Sequence, residues 1–130
     1  MPQYGPKSIS ELETAHPDLQ RLFNEVIQVM DNTIIEGHRN QEDQELAFST
    51  GKSKEHWPNS KHNKVPSMAV DVMPYPIDWN DAVTCAYFAG FVLGTARQMG
   101  IKIRYGGDFN QNQNLHDDPF KDRDHYELIA

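Results

Sequence analysis

Residues 68–73 constrain the fold of this chain more than any other stretch of the sequence. They alternate as a β-strand does, so Met68, Val70 and Val72 would lie on one face and Asp71 on the other. Asp71 is then the single charge in an otherwise apolar strand. Burying a carboxylate is costly unless it is paired, hydrogen-bonded or bound to a metal. The placement of Asp71 therefore requires an explanation.

The periodicity of apolar residues predicts three helices. Residues 17–30 form an amphipathic helix, because apolar side chains recur three and four positions apart: Leu19, Leu22, Phe23, Val26, Ile27 and Met30. A polar helix is expected at 41–50, and a long apolar helix runs from Asn80 or Asp81, either of which can cap it, to Gly100. Residues 52–66 are polar and contain two prolines, which predicts an irregular surface loop.

Three further strands are predicted at 33–36, 101–105 and 124–128. The last one places His125 and Glu127 on one face of the sheet. The chain has 130 residues, is 38% hydrophobic and shows no internal repeat or linker. We therefore expect one domain, 1–130, of the α+β class, with a small, mainly antiparallel sheet packed against helices.

Composition excludes several classes of protein. Cys85 is the only cysteine, so a transition-metal site must be built from histidines and carboxylates. The net charge of -7 argues against a nucleic-acid partner, which needs clustered Lys and Arg. The first ten residues contain no apolar run, so we expect no secretory signal and synthesis in a cytoplasm. Residues 82–99 are too short and too often interrupted by polar residues for a membrane span, so no membrane insertion is expected.

Two of the six histidines lie where a rigid backbone could direct them at a common point. His62 precedes the strand that carries Asp71, and His125 lies on the terminal strand, so pairing of these segments would bring the three side chains together. Two imidazoles and one carboxylate leave a fourth tetrahedral position open for water, as in a catalytic zinc site on the sheet. The alternative is that backbone amides satisfy Asp71 and that the histidines are ordinary loop residues.

The elements Ser60-x-His62, Ala69-x-Asp71 and Asp122-x-x-His125 resemble the LAS-type metallopeptidases. That family contains D-Ala-D-Ala carboxypeptidases and L-alanyl-D-glutamate endopeptidases, including phage endolysins. The resemblance spans residues 34–127 and includes 37–39 and 105–109. It implies that His62, Asp71 and His125 bind one zinc ion. Residues 63–68 depart from the family pattern, because this segment is two residues longer and Ser67 stands in place of a glycine.

The resemblance also implies roles beyond the ligands. Asp122 matches the acidic residue that transfers protons as general acid and base. Asp124 is its rival, ranked second because alternation would turn it to the other face from His125, and its simpler interpretation is a surface salt bridge. Arg39 would hold a substrate carboxylate or polarise the scissile carbonyl, the alternative being a surface ion pair with Glu36.

Several neighbouring residues, Asp108 among them, are predicted to support the site or contact the substrate. Ser60 would fix the His62 loop by a hydrogen bond. Gly106 and Gly107 would let the backbone approach an extended peptide, although a plain turn is equally consistent with them. The other four histidines are assigned no chemistry, although the last of them could line the cleft: His16, His38, His56 and His116.

Oxygen-bearing side chains occupy alternate positions from Asp108 to Asn114, as at the start of a calcium loop. The match is incomplete, since Gln113 stands where an EF-hand has glycine and no Glu closes the loop at its twelfth position. Calcium regulation is therefore a separate hypothesis, subordinate to the zinc site.

The resemblance predicts a phage endolysin that cuts the peptidoglycan stem peptide, first as an L-alanyl-D-glutamate endopeptidase and alternatively as a D-Ala-D-Ala carboxypeptidase. A monomer made in the host cytoplasm would reach the cell wall after the membrane is opened. A non-catalytic zinc-binding or wall-binding module is the alternative from another class, and the presence of Asp122 argues against it.

Overall fold

A computed structural model of the chain describes residues 2–116 and 122–129. Four α-helices occur within them, α1 (Pro6–Leu12), α2 (Pro17–Val26), α3 (Gln41–Ser49) and α4 (Ala82–Gln98). The strands are β1 (Asn32–Glu36), β2 (Ala69–Pro74), β3 (Ile103–Tyr105) and β4 (His125–Leu128), and a single 3-10 turn spans Lys61–Asn63. Each predicted helix and strand is present, with boundaries that differ by a few residues.

The four strands form one sheet in the order β1-β2-β4-β3, and every neighbouring pair is antiparallel. The predicted α+β class with a small antiparallel sheet is confirmed. Strands β2 and β4 occupy the centre, and Asp71 pairs directly with His125 in their register. Because paired residues of adjacent strands project to the same face, this register places both side chains side by side.

The core lies on one face of the sheet, beneath α2 and α4. Val70 and Val72 of β2 and Tyr126 of β4 contribute to it, and the Tyr126 ring meets that of Phe23 at 5.7 Å, edge to face. The strand period of two turns Asp71, His125 and Glu127 to the opposite face. One side of the sheet therefore supplies packing, and the other is available for chemistry.

The capping of α4 explains why this helix ends before Gly100 and why strand β3 begins later than predicted. Asp81 caps its start, with Oδ1 accepting from the Thr84 amide at 3.0 Å. At its end Gly100 takes a left-handed φ of +72°, and the Ile101 amide donates back to the Ala96 carbonyl at 2.9 Å. This is a Schellman cap, which uses Ile101 to end the helix. Strand β3 consequently begins at Ile103 rather than at 101.

Candidate metal centre

His62, Asp71 and His125 converge on the open face of the sheet. Nε2 of His62 lies 3.2 Å and Nδ1 of His125 lies 3.4 Å from the same Asp71 oxygen, Oδ1. The three donor atoms lie within 4.8 Å of one another, and all three residues are buried. Burial opposes ionisation, yet the charge of His62 and hydrogen bonds from both histidines hold the pKa of Asp71 well below its ordinary value.

The hydrogen bonds of the two imidazoles identify the nitrogen that each can offer to a metal. Nδ1 of His62 lies 2.8 Å from the Gly37 carbonyl, which can only accept, so Nδ1 donates to this carbonyl and Nε2, which faces Asp71, is the nitrogen that a metal ion would take. Nε2 of His125 lies 2.7 Å from Glu127 Oε1 and donates to it, which leaves Nδ1 for the metal. Acceptors behind both rings are the usual arrangement at metal-binding histidines. The donor set therefore fits a metal ion such as zinc.

The loop that carries His62 is held by its own capping hydrogen bonds. Oγ of Ser60 accepts from the His62 amide at 3.2 Å, and Oδ1 of Asn63 accepts from the Ser60 amide at 3.0 Å. The segment 63–68 packs against the turn before α2 at Ser67, whose amide donates to the Thr14 carbonyl at 2.9 Å. This path leaves His62 Nε2 3.2 Å from Asp71 Oδ1.

Arg39 is almost completely buried, at 3% exposure, rather than on the surface. Its Nη2 contacts Glu36 Oε1 at 2.7 Å and Asp71 Oδ2 at 3.3 Å, and its Nη1 donates to Gln44 Oε1 at 3.0 Å. The ion pair with Glu36 is present, but it belongs to a buried network behind the three predicted ligands. In this arrangement Arg39 orients the oxygen of Asp71 that faces away from the histidines.

Asp122, Asp124 and Lys52 form a charged cluster beside the predicted ligands. Lys52 was not among the residues predicted from the sequence. Lys52 Nζ lies 3.6 Å from Asp71 Oδ2, 3.7 Å from Asp122 Oδ1 and 3.2 Å from Asp124 Oδ2. Burial works against its charge, but the three carboxylates raise the pKa of Lys52. The ammonium group therefore neutralises part of the acidic cluster.

Asp124 lies outside strand β4, although the sequence predicted a strand over 124–128. It lies in the turn just before β4, where alternation does not apply, and it is only 2% exposed. Burial first, and then the charge of Asp71 and a hydrogen bond with Asp122, raise the pKa of Asp124 to about 9. Asp122 is more accessible, with Oδ2 at 3.9 Å from His125 Nδ1. Of the two carboxyl groups, Asp122 is thus the one that both faces the cleft and approaches the metal site.

Gly106 is required by the packing of the site itself. A Cβ at this position would lie 2.2 Å from the Asp122 carbonyl oxygen and 2.8 Å from the His125 Cβ. The Gly106 amide donates to the His125 carbonyl at 2.7 Å. A Cβ on Gly107 would meet the Tyr105 ring at 2.4 Å. Gly106 therefore lets the turn after β3 approach the segment that carries Asp122 and His125, whereas Gly107 leaves room for the ring of Tyr105.

The loop after Gly107 is built from local turns. Asn110, Asn112 and Asn114 each accept, through the side-chain oxygen, from the amide two residues later. Asp108 Oδ2 accepts from the Gln113 amide at 2.8 Å, while Oδ1 is buried without a hydrogen-bond partner among the described residues. His116 is exposed, and the rest of the predicted loop, 117–118, lies outside the described residues.

A cleft of about 390 Å³ opens over the metal site, and the residues that line it include Arg39, Lys52, Lys61, His62, Asp122 and His125. A larger cavity of about 570 Å³ lies along the edge strand β3 and contains none of the three predicted ligands. Among the described residues, the three predicted ligands and an accessible carboxylate meet at the smaller cleft, which is therefore the candidate site for the chemistry.

A buried His-Asp-His donor set beside an accessible carboxylate, in an open cleft on an α+β sheet, defines the class of metal-dependent hydrolases. Comparison with known proteins narrows this class. The family described as phage L-alanyl-D-glutamate peptidase matches residues 2–129. The chain belongs to this family, and the resemblance noted from its motifs is confirmed.

Two relatives illustrate the match. The L-alanyl-D-glutamate peptidase of Escherichia phage T5 is 30% identical over 137 aligned positions, which cover 98% of each protein. The crystal structure of the Serratia marcescens L-Ala D-Glu endopeptidase ChiX superposes with a TM-score of 0.75 at 26% identity, covering 98% of this chain and 90% of that one. Within the described residues, no helix is long and apolar enough to cross a membrane.

Proposed function

We propose that this protein is a zinc-dependent peptidoglycan hydrolase that cuts the amide bond between L-alanine and D-glutamate in the stem peptide. The observation that carries the proposal is the convergence of His62, Asp71 and His125, with Asp122 beside them in an open cleft. The names of the family and of both relatives supply the substrate bond. The D-Ala-D-Ala carboxypeptidase activity is the alternative within the same chemistry.

In this proposal His62 Nε2, Asp71 Oδ1 and His125 Nδ1 hold the zinc ion. Zinc bound there supplies Lewis acidity that activates water and polarises the scissile carbonyl. Asp122 accepts the proton released by the attacking water and returns it to the leaving amine. Its position suits this role, because its side chain is 17% exposed and therefore reachable by substrate. Arg39 fixes Asp71 from behind through Oδ2.

Defined muropeptides incubated with the zinc-loaded protein, with and without a chelator, test this function. Mass spectrometry of the products separates cleavage after L-alanine from release of terminal D-alanine. Metal-dependent release of products that begin with D-glutamate is expected. If no substrate is cleaved although one zinc ion is bound, the protein is a non-catalytic zinc-binding or wall-binding module instead.

The variant Asp122→Ala assigns the proton carrier. It should bind one zinc ion with little change in affinity, because Asp122 is not in the predicted ligand set, and lose at least a hundredfold in kcat. Asp124→Ala serves as the comparison. Should Asp122→Ala retain full turnover, the proton carrier is another group, with Asp124 as the first candidate.

Calcium binding by the loop that begins at Asp108 is a separate part of the proposal. The buried, unpartnered Asp108 Oδ1 supports it, whereas the local turns already engage the oxygens of Asn110, Asn112 and Asn114. A calcium titration of the zinc-loaded protein, followed by thermal unfolding and activity, tests it. A response that Asp108→Asn abolishes is expected, and no response to calcium in either assay would dispose of it.

The proposed substrate places the activity at the cell wall, which a phage enzyme made in the host cytoplasm reaches after the membrane is opened. We also propose that the protein acts as a monomer. Sedimentation equilibrium of the purified protein should give a mass close to the 14.9 kDa of one chain. A concentration-independent mass of twice that value would contradict the monomer.

A further inference from the structure

The charged side chains in and beside the cleft form two groups, one with a net negative charge and one with a net positive charge. On one side, Lys52 faces three carboxylates, those of Asp71, Asp122 and Asp124. On the other side two cations share one carboxylate oxygen, with Glu127 Oε2 lying 3.4 Å from Lys61 Nζ and 2.8 Å from Arg104 Nη2. The second group carries a surplus positive charge, in a chain whose net charge is -7.

The two cations of this second group are accessible from the cleft. The side chains of Lys61 and Arg104 are 31% and 36% exposed, and both residues line the cleft over the metal site. Besides Glu127, Lys61 donates to the Leu128 carbonyl and Arg104 Nη1 to the Phe109 carbonyl. An ammonium group has three N–H donors and a guanidinium has five, so donors remain for a ligand.

Glu127 ties these cations to the metal site. Its other oxygen, Oε1, accepts from His125 Nε2 at 2.7 Å. The cation pair and the third metal ligand therefore sit at opposite ends of one hydrogen-bonded unit. Glu127 and His125 both lie on β4, so this strand fixes the contact point of the two cations relative to the proposed metal site.

The proposed substrate presents a charge that such a group would recognise. Glutamate carries two carboxyl groups, and continuation of the peptide uses only one, so the residue that supplies the leaving amine keeps a free carboxylate. Arg39, which the family resemblance suggested for a substrate carboxylate, reaches the edge of the cleft, but its guanidinium group is engaged by Glu36, Gln44 and Asp71 and is almost completely buried. A more exposed cation is better placed to meet the substrate carboxylate.

We propose that Lys61 and Arg104 form a carboxylate-binding subsite that recognises the free carboxylate of the D-glutamate residue. This inference rests on the proposed function and deepens it, because it names the group by which the substrate is selected. The surplus charge supports recognition of a carboxylate over the corresponding neutral amide. Partial burial strengthens the contact, since charge-assisted hydrogen bonds gain when water is excluded.

A pair of peptides tests the subsite, one with the D-glutamate carboxylate free and one with it converted to the amide. The zinc-loaded wild-type protein should cleave the free acid with a kcat/KM roughly tenfold or more above that of the amide. Lys61→Met and Arg104→Gln should each lower kcat/KM for the free acid by a similar factor. Their kcat/KM for the amide should fall by a much smaller factor, so the preference is lost.

Lys64→Met is the matched control, because Lys64 is exposed, three residues from Lys61 and outside the cleft lining. It should keep the wild-type preference. Zinc stoichiometry and thermal unfolding of each variant establish that the metal site is intact. If Arg104→Gln does not fold, Lys61→Met alone decides the question.

Equal cleavage of the two peptides by the wild-type protein would overturn the subsite. So would variants that lose activity on both peptides in proportion, since that pattern indicates a structural role in holding Glu127. If the zinc-loaded wild-type protein cleaves neither peptide, the proposed function itself fails and the subsite with it. The last result is distinguishable, because the first two require measurable cleavage.

Discussion

The hydrogen bond between His125 and Glu127 should control the zinc affinity of the proposed metal site. Glu127 is 6% exposed, and its Oε1 accepts from His125 Nε2 at 2.7 Å, so the contact is short, charged and shielded from water. Burial works against ionisation, but the hydrogen bond and charge of His125 lower the pKa of Glu127 to about 2. The carboxylate is therefore ionised throughout the useful pH range and holds the imidazole with Nδ1 free for the metal.

Two substitutions separate the charge of Glu127 from its shape. Loss of an outer-shell partner of a histidine ligand typically costs 10- to 100-fold in metal affinity, or about 1.4 to 2.7 kcal/mol. Glu127→Ala should reach the upper part of this range, because it also leaves the two cations beside it uncompensated close to the metal. Glu127→Gln keeps an acceptor of the same size and should weaken zinc binding by roughly tenfold or less.

Competition with a chromophoric zinc chelator at pH 7.5 measures the dissociation constants, and the absorption spectrum of the cobalt-substituted protein reports the ligand geometry. Glu25→Gln, on the exposed side of α2, serves as the control for loss of one negative charge. A zinc affinity of Glu127→Ala within twofold of the wild-type value would refute the reasoning. It would mean that packing alone orients the His125 ring.

Three further predictions follow from the same geometry. Burial and the neighbouring carboxylates raise the pKa of Asp124 to about 9, so the folded wild-type protein binds a proton that the unfolded chain releases near pH 4. As the pH rises from 5 to 8, the free energy of unfolding of the metal-free wild-type protein should therefore fall relative to that of Asp124→Asn, by up to about 1.4 kcal/mol per pH unit. A difference in Tm between the two proteins that stays constant with pH would contradict this. Burial lowers the pKa of His125, but hydrogen bonds to Asp71 and Glu127 outweigh it and raise the pKa to about 10. Zinc binding at pH 7.5 should therefore release at least one proton. Calorimetry in two buffers of different ionisation enthalpy measures this release. Gly106→Ala should lower the free energy of unfolding by about 1 to 3 kcal/mol and reduce activity, because its Cβ would overlap the turn before His125. Gly90→Ala is the control, since its Cβ would lie in open space on α4, and it should raise the free energy of unfolding by about 0.5 to 1 kcal/mol in chemical denaturation.

Local patterns in the sequence were enough to predict most of the helices and strands. The spacing of Leu19, Leu22, Phe23 and Val26 predicted α2, because a helix face is set by residues three and four positions apart. The alternation around Asp71 predicted β2, because successive side chains of a strand project to opposite faces. The antiparallel α+β class followed from the set of predicted helices and strands. The three-residue metal set came from spacing combined with a family resemblance, and the structure brings those residues together.

Only the tertiary structure decided what surrounds this set. Lys52 reaches Asp124 across 72 positions of sequence, and no local pattern records such a contact. Asp124 is buried in the turn that precedes His125, and Arg39 lies behind Asp71 because the network of Gln44 and Glu36 encloses it. Periodicity specifies which face of an element is apolar, since that depends on neighbours along the chain. The environment of a charge depends on neighbours in space, and these exist only once the strands have paired.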